Sequence, residues 1–500
     1  MKTYLFTYSL AVLFAMALTP IVIYWANKRK LIDESNARTI HSLPIARLGG
    51  VAVYISAMLA LLPVLGLQNS IGERFRGHSI EIMALLTGAA LMFALGLYDD
   101  IRGLRARTKL SLQFLAALIV CMAGIHIHEI TIRDLCQINL SWIGYIITLI
   151  WIIGITNAMN LIDGLDGLAG GISVIACGVI AILSVWQGNI LLSVIMLALL
   201  GSLTGFMFFN FHPAKIFMGD CGSLFMGFTI AVASVLTAAK SEALVGIGLP
   251  ILVLGIPIFD TLFSVLRRFL QRRSIMSPDK SHFHHRLLDL GLKQNHIAII
   301  AYLITLLSSG LGLFMLVTRG TESIIVFVGC LTLLLVVFRI VGSVRLGETM
   351  VALQRRYAIN REIRSEIITF ENLELQFHYA ASQRTWWKAV CVAARQFDFA
   401  WISLRTIDEG DNSHTTVWRS DAEVNSTTEI VTLNIPLNMS QSNVSGEIEI
   451  AIARNGSLEA VTRRASLFGR LIDGHDLNVM VSGDNTRKRI EIDNHESLSV

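Results

Sequence analysis

The apolar residues of this chain come in long blocks separated by short polar connections. Runs close to the 20 or so residues that an α-helix needs to cross a bilayer occur at Leu5–Ala26, Leu48–Leu67, Ile80–Leu97, Leu110–Ile125, Leu140–Thr156, Gly167–Trp186, Ile190–Phe209, Gly222–Ala239, Leu244–Leu266, Ile297–Val317 and Ser323–Val341. The pattern predicts an all-α polytopic membrane protein with about eleven transmembrane helices. The first run is too long for a signal-peptide core and meets Lys28-Arg29-Lys30 instead of a small-residue cleavage site, so it is expected to be retained.

After Val341 the pattern changes. Gly347–Tyr379 keeps a helical period but carries many charges, among them Arg355, Arg356, Glu362 and Glu366, as a linker or coupling helix would. A helix at Trp386–Gln396 follows, then alternating runs at Ala400–Ile407, Thr415–Arg419, Glu429–Ile435 and Gly446–Ala453, and a closing helix at Leu458–Leu471. The expected organisation is a transmembrane domain over 1–342, a linker over 343–380, a small cytoplasmic α+β domain of GAF-like element order over 381–481, and a disordered tail over 482–500.

Composition averages these unlike parts: the 500 residues are 53% hydrophobic and 16% charged, against about a quarter charged in soluble domains. The 41 Lys and Arg nearly balance the 37 Asp and Glu, which excludes a nucleic-acid binder unless the charge is segregated. It is segregated, by connection. Lys28, Arg29, Lys30, Arg38, Arg47, Arg102, Arg105, Arg107, Lys215, Arg267, Arg268, Arg272, Arg273, Lys280, Arg286 and Lys293 lie in odd connections, and Arg74, Arg76, Arg133, Lys240 and Arg319 in even ones. By the positive-inside rule the odd connections and the C-terminal domain are cytoplasmic and the N-terminus is outside. The six cysteines form no CxxC pair and suggest neither a disulfide framework nor a cysteine metal site.

The candidate chemistry falls on the same side. Asp99 and Asp100 end the third run; Asn157, Asn160, Asp163 and Asp166 fill the fifth connection; Asn210, His212 and Asp220 the seventh; His282, His284 and His285 the ninth. Polar groups near membrane spans are costly and mark function. Incidental loop polarity would populate the even connections too, and they hold no comparable concentration, so one cytoplasmic site assembled from several helix ends is expected. The paired carboxylates could be a base, metal ligands or a polar helix end. In Asn157-Ala-Met-Asn160-Leu-Ile-Asp163-Gly-Leu-Asp166-Gly, hard oxygen donors between glycines suit Mg²⁺ and a close approach of backbone to phosphate. Asp220 reads as a ligand or a helix cap. The arginines before the histidines read as membrane anchors, and the histidines as phosphate contacts or proton carriers. Together the set supports Mg²⁺-dependent phosphoryl transfer without a GxxxxGK[ST] loop. A secondary transporter would need midplane ionisable groups and internal repeats, whereas here the acids cluster at cytoplasmic span ends and no halves match; a membrane-anchored sensor would not need the loop acids.

The motifs GLYDD, NAMNLIDGLDGLAGG, FNFHPAKIFMGDCGSL and SHFHHRL, in this order within residues 1–342, resemble those of the polyprenyl-phosphate N-acetylhexosamine-1-phosphate transferases. They look more like the bacterial undecaprenyl-phosphate N-acetylglucosamine-1-phosphate transferases than the phospho-N-acetylmuramoyl-pentapeptide transferases. Asp33 to Gly50, with Arg38 and His41, also resembles the family's first cytoplasmic loop, placing both residues among the substrate-binding set. The resemblance implies that Asp220 and Asn160 hold Mg²⁺, with Mn²⁺ as a substitute, and that Asp99 or Asp100 positions or deprotonates the lipid phosphate. It implies that Asn157, Asp163 and Asp166 shape the nucleotide site, that Lys109 neutralises phosphate, and that His282, His284, His285 and Arg286 contact the sugar-nucleotide diphosphate. The implied substrates are undecaprenyl phosphate and a UDP-N-acetylhexosamine, most simply UDP-GlcNAc, with UMP released at the first membrane step of a cell-surface polysaccharide in the bacterial inner membrane. A homodimer and an unidentified ligand or protein partner of the tail complete the expectations.

Overall fold

The computed structural model describes residues 2–29, 32–33, 45–66, 79–132, 136–238, 243–270, 282–318, 321–341, 346–380, 382–407, 413–420, 429–437, 445–453 and 458–475. The chain forms two compact units, Met1–Thr349 and Met350–Val500.

The first unit is a helical bundle: α1 (Lys2–Lys28), α2 (Gly49–Gly66), α3 (Ser79–Arg102), α4 (Ala106–Met122), α5 (Ile143–Ile162), α6 (Leu168–Trp186), α7 (Ile190–Asn210), α8 (Gly219–Ala238), α9 (Ala243–Val253), α10 (Gly255–Leu270), the short α11 (Phe283–Asp289), α12 (Gln294–Phe314) and α13 (Thr321–Ile340). Strands β1 (Ile32–Asp33) and β2 (Ile45–Ala46) pair antiparallel before α2, and β3 (Glu129–Ile132) and β4 (Cys136–Asn139) form a hairpin between α4 and α5. Among the described residues eight helices, α1, α3, α5, α6, α7, α8, α12 and α13, are long and apolar enough to cross a membrane. The other expected crossings are also helical, as α2, α4 and a ninth run broken at Leu254 into α9 and α10. Pro257 lacks the N–H that would bond the Val253 carbonyl, which accounts for the break. Leu13, Ile21, Met83, Ile150, Ile182 and Val328 are all exposed on the outside of the bundle, an apolar surface that lipid tolerates and water does not. The protein is therefore a polytopic membrane protein.

Two helix ends differ from expectation. The fifth helix runs on to Ile162, so Asn157 and Asn160 belong to its last turns and not to a connection. The third runs to Arg102, placing Asp99 and Asp100 within the helix. In both cases bundle partners satisfy the side chains that looked destined for water.

Helix α8 is the axis of the unit. Nearly all its residues, Ser223 to Val235 included, are buried, and α2, α3, α5 and α6 pack around it. On the flank, α1 buries Thr7, Ala11, Ala15 and Thr19 against α7. There Gly201 and Gly205 approach so closely that an added Cβ would lie 2.4 Å from the Tyr8 carbonyl and 2.6 Å from that of Val12. Small residues four apart allow this contact, which matters in lipid because helices gain little there from apolar burial alone.

The second unit holds most of α14 (Leu346–His378), α15 (Gln383–Gln396), α16 (Leu458–Gly474) and an antiparallel sheet in the order β6-β5-β8-β7. The strands are β5 (Phe399–Ile407), β6 (Ser413–Arg419), β7 (Ile430–Leu437) and β8 (Ser445–Ala453). Alternate residues Ile402 and Leu404 of β5 and Ile448, Ile450 and Ile452 of β8 pack with Trp386, Phe468 and Leu471. Ser382 and Thr385 form a capping box at the start of α15. Glu366 of α14 is buried between Arg463 Nε at 2.6 Å and Arg464 Nε at 2.9 Å, fastening α14 to α16. The polar tail expected over 482–500 lies outside the described residues.

Candidate active site

The site forms where the chain entering α2 runs beside the chain entering α8. Phe217 N donates to Ala46 O at 2.8 Å, Gly49 N to Phe217 O at 2.9 Å and Gly50 N to Met218 O at 2.7 Å. A Cβ on Gly50 would lie 2.1 Å from Gly222 N, and Gly219 adopts φ +74°, so no larger side chain fits this crossing without displacing backbone.

Asp100 closes the junction. Its Oδ1 accepts Asp220 N and its Oδ2 accepts Cys221 N, both at 2.9 Å. A carboxylate thus satisfies donors that the first turn of α8 leaves without intrahelical partners, at the positive end of the helix dipole. Its neighbour Asp99 turns elsewhere: Oδ1 accepts Leu104 N at 2.6 Å, and Oδ2 lies 3.0 Å from Lys109 Nζ. The ammonium of Lys109 also bonds Asp220 Oδ2 and lies 3.5 Å from Asn160 Oδ1. The Asn160 amide donates to Asp220 Oδ1 at 2.9 Å and to Ser223 Oγ at 2.8 Å. One turn earlier, Asn157 Nδ2 donates to Gln113 Oε1 at 2.6 Å and to Ile153 O at 2.8 Å.

Oxygens from three helices, α3, α5 and α8, therefore converge on a single cationic group supplied by α4. Hard oxygen donors facing one positive charge are the donor type that Mg²⁺ prefers, so Asp220, Asn160 and Asp99 fit that ion. Among the described residues no cluster of three or more His, Cys, Asp or Glu is placed to hold a metal ion, so the fit rests on two carboxylates and one amide oxygen.

The remaining expected residues take distinct places. Asp163 follows α5 at its C-cap; burial, and then the nearby charges of Asp220 and Asp100, push its carboxyl well above the usual carboxylate range, while Arg47 opposes the shift. Asp166 is buried, and its Oδ2 takes His212 Nδ1 at 2.8 Å and Ala214 N at 3.1 Å. It ties the α5–α6 connection to the chain before α8. In the histidine segment, His282 and His284 are buried while His285 and Arg286 are half-buried. A Cβ on Gly164 would sit 3.0 Å from His284 Nε2, so this segment reaches the Asp163–Gly167 turn. Burial, followed by the neighbouring His285, pushes the His284 ring down to about 3. His284 is consequently neutral near pH 7 and packs the turn without bringing charge to a phosphate. Arg38 and His41 lie outside the described residues.

The stretch that carries these residues also matches known proteins. Residues 82–238 match the family described as Glycosyl transferase family 4, a stretch containing Asp99, Lys109, Asn160 and Asp220. The chain is 37% identical over 295 residues to a probable undecaprenyl-phosphate N-acetylglucosaminyl 1-phosphate transferase of Bacillus subtilis (strain 168), covering 59% of this chain and 80% of that protein. The chain belongs to the polyprenyl-phosphate N-acetylhexosamine-1-phosphate transferases. A decaprenyl-phosphate N-acetylglucosaminephosphotransferase of Mycobacterium leprae (strain TN) is 34% identical over 309 residues, 57% of this chain and 77% of its own length. A phospho-N-acetylmuramoyl-pentapeptide-transferase of Lacticaseibacillus paracasei is 32% identical over 234 residues, 43% of this chain and 69% of its own length.

Three residues that pair with the expected ones, Gln113 with Asn157, Ser223 with Asn160 and Asp260 with His282, escaped the sequence reading. Gln113 lies one helical turn beyond Lys109, and Ser223 three residues beyond Asp220; each shares a helix face with its neighbour, a spacing that could have flagged both. Asp260 was visible as the one acid within the Leu244–Leu266 run, which the cost of intramembrane charge should have singled out.

Proposed function

We propose that this transferase moves GlcNAc-1-phosphate from UDP-GlcNAc to undecaprenyl phosphate, as the first membrane step of a cell-surface polysaccharide. The observation that carries the reading is the convergence of Asp99, Asn160 and Asp220 on the Lys109 ammonium. In the reaction an oxygen of the lipid phosphate attacks the β-phosphorus of the nucleotide sugar. A new phosphoanhydride forms, the α–β bond breaks, and UMP leaves with the electron pair. A phosphate monoester is already anionic at neutral pH, so the attack needs no covalent aspartyl intermediate; trapping a phosphorylated Asp during a single turnover would overturn this direct route.

The residues then divide the work. Lys109 neutralises phosphate, with Asp99 steering its ammonium. Asp100 holds the start of α8 so that Asp220 faces the site. Asp220, Asn160 and Asp99 would hold Mg²⁺ or Mn²⁺, which when bound supplies charge neutralisation at the departing phosphate. Gln113 orients Asn157, and Asn157, Asp163 and the turn braced by Asp166 line the nucleotide side. His285 and Arg286 supply donors to the diphosphate, with Arg38 and His41 completing the substrate-binding set. The charge bias of the connections supports a cytoplasmic site, an outside N-terminus and a plasma-membrane setting. The second unit serves as a GAF-like module that binds a regulator or partner, or as a passive stabilising appendage, and supplies no residue to turnover. UDP-GlcNAc is preferred over the pentapeptide donor because the 37% and 34% identical relatives are named for N-acetylglucosamine and the muramoyl-pentapeptide relative is 32% identical.

The test is UMP release by purified protein given Mg²⁺, undecaprenyl phosphate and a panel of UDP-sugars that includes UDP-MurNAc-pentapeptide. Turnover is expected with UDP-GlcNAc, and Asp220→Ala should lower it by about 100-fold or more while the protein still inserts. No release with any donor would sink the transferase reading, and full activity of Asp220→Ala would sink the assignment of that carboxylate.

A further inference from the structure

Asp260 lies within α10, only 3% exposed, on the same face as Ser264 and Arg268. Helix α10 packs on α5, the helix of Asn157 and Asn160. An ionised carboxylate at such a place is strongly disfavoured unless its oxygens are bonded, and both are. Oδ2 lies 2.9 Å from His282 Nδ1, and Oδ1 accepts Phe283 N at 2.7 Å. Ser264 Oγ, one turn further along α10, is 3.4 Å from the same Nδ1 and accepts Arg267 Nη2 at 3.3 Å. One side chain of the bundle thus grips both the ring of His282 and the first backbone donor of α11.

The second bond alone would explain a capped helix. The first does something a cap does not require. A carboxylate on Nδ1 keeps the proton on that nitrogen and fixes the rotation of the ring, leaving the opposite edge, with Nε2, for another partner. His282 and His284 lie parallel, 5.8 Å between centroids with an interplanar angle of 4°, so fixing the first ring also constrains the second, which packs at Gly164. From that anchored start, α11 carries His285 and Arg286.

We propose that Asp260 is a positioning residue for the nucleotide-sugar diphosphate: it holds the His282 ring by Nδ1 and thereby sets where Nε2, His285 and Arg286 meet the substrate. This assignment rests on the transferase reading above. It predicts that loss of the Asp260 carboxylate damages the binding of one substrate and spares the other.

The experiment is a double-mutant cycle on full-length protein, combining Asp260→Asn with His282→Ala and measuring KM for UDP-GlcNAc and for undecaprenyl phosphate separately. Asn keeps an acceptor for Phe283 N but places an amide donor or a neutral oxygen at the ring. Asp260→Asn is expected to raise KM for the nucleotide sugar about tenfold, the lower end of the scale for carboxylates that orient metal-binding histidines, with KM for the lipid unchanged. In the His282→Ala background the same substitution should leave KM for the nucleotide sugar nearly unchanged, because its target is gone. An unshifted KM in Asp260→Asn, an equal rise in both backgrounds, or an equal rise for both substrates overturns the assignment. If Asp260→Asn does not accumulate as folded protein, the cycle is run with Asp260→Glu, whose longer arm keeps the charge but displaces the ring, and the same outcomes decide. Wild-type protein that releases no UMP would instead defeat the underlying reading, so the two failures are distinguishable.

Discussion

Asp99 and Asp100 are adjacent on α3, so their side chains leave the helix axis about 100° apart. That angle separates their roles: Asp100 spends both oxygens on the backbone of Asp220 and Cys221, and Asp99 faces Lys109. Of the pair, Asp99 is therefore the one whose carboxylate stands beside the Lys109 ammonium. The histidines divide in a comparable way, and His284 gives a pH-dependent consequence. Its ring is pushed down to about 3 by burial and His285, whereas an unfolded histidine titrates near 6.5. Between these values the unfolded chain binds more protons than the folded one, so stability from this group is complete above about pH 6.5 and declines as pH falls toward 3. The unfolding temperature of the detergent-solubilised protein should therefore drop between pH 7 and 5. His284→Gln, which cannot titrate, should flatten that slope; an identical slope in both proteins would contradict the burial argument.

At the level of elements, α1 and α7 show what holds such a bundle together. Because lipid is as apolar as a side chain, the contact of Gly201 and Gly205 with Tyr8, Val12 and Ala15 depends on close van der Waals fit. Gly205→Leu forces its side chain onto the Val12 carbonyl and the Ala15 methyl, and overpacking of this kind costs about 1–3 kcal/mol or more. A lower unfolding temperature and lower yield are expected, whereas Gly178→Leu, whose Cβ would meet nothing within 4 Å, serves as a control and should behave like wild type. Equal behaviour of the two variants would remove the packing argument. The small-residue spacing of this pair stands in the sequence, as do the run lengths that gave the helices. What the sequence hides is where helices stop, because Asn157 and Asn160 look like loop residues until Gln113 and Ser223 arrive as partners from α4 and α8. The same holds for Asp260, whose histidine lies beyond a connection and is brought near only by folding. In the sheet, alternation made both β5 and β6 legible, although in β5 it buries Ile402 and Leu404 while β6 is largely exposed on both faces.

For the whole molecule, the two units carry separate hydrophobic cores. Every candidate site residue lies within Met1–Thr349, and Met350–Val500 has its own packed aromatics and its own ionic clamp at Glu366. A unit with its own core is expected to fold without the other, so a protein ending at Thr349 should insert and release UMP from UDP-GlcNAc with KM values close to those of the full chain. The clamp gives a companion variant: Glu366→Ala leaves Arg463 and Arg464 without their shared partner and should loosen α14 from α16, seen as faster amide exchange in those helices, with no change in UMP release. Two results would contradict this division. Loss of turnover on truncation, with insertion intact, would mean that the second unit completes the site. A changed KM for either substrate in Glu366→Ala would mean that the state of the second unit is transmitted to chemistry performed entirely by residues of the first.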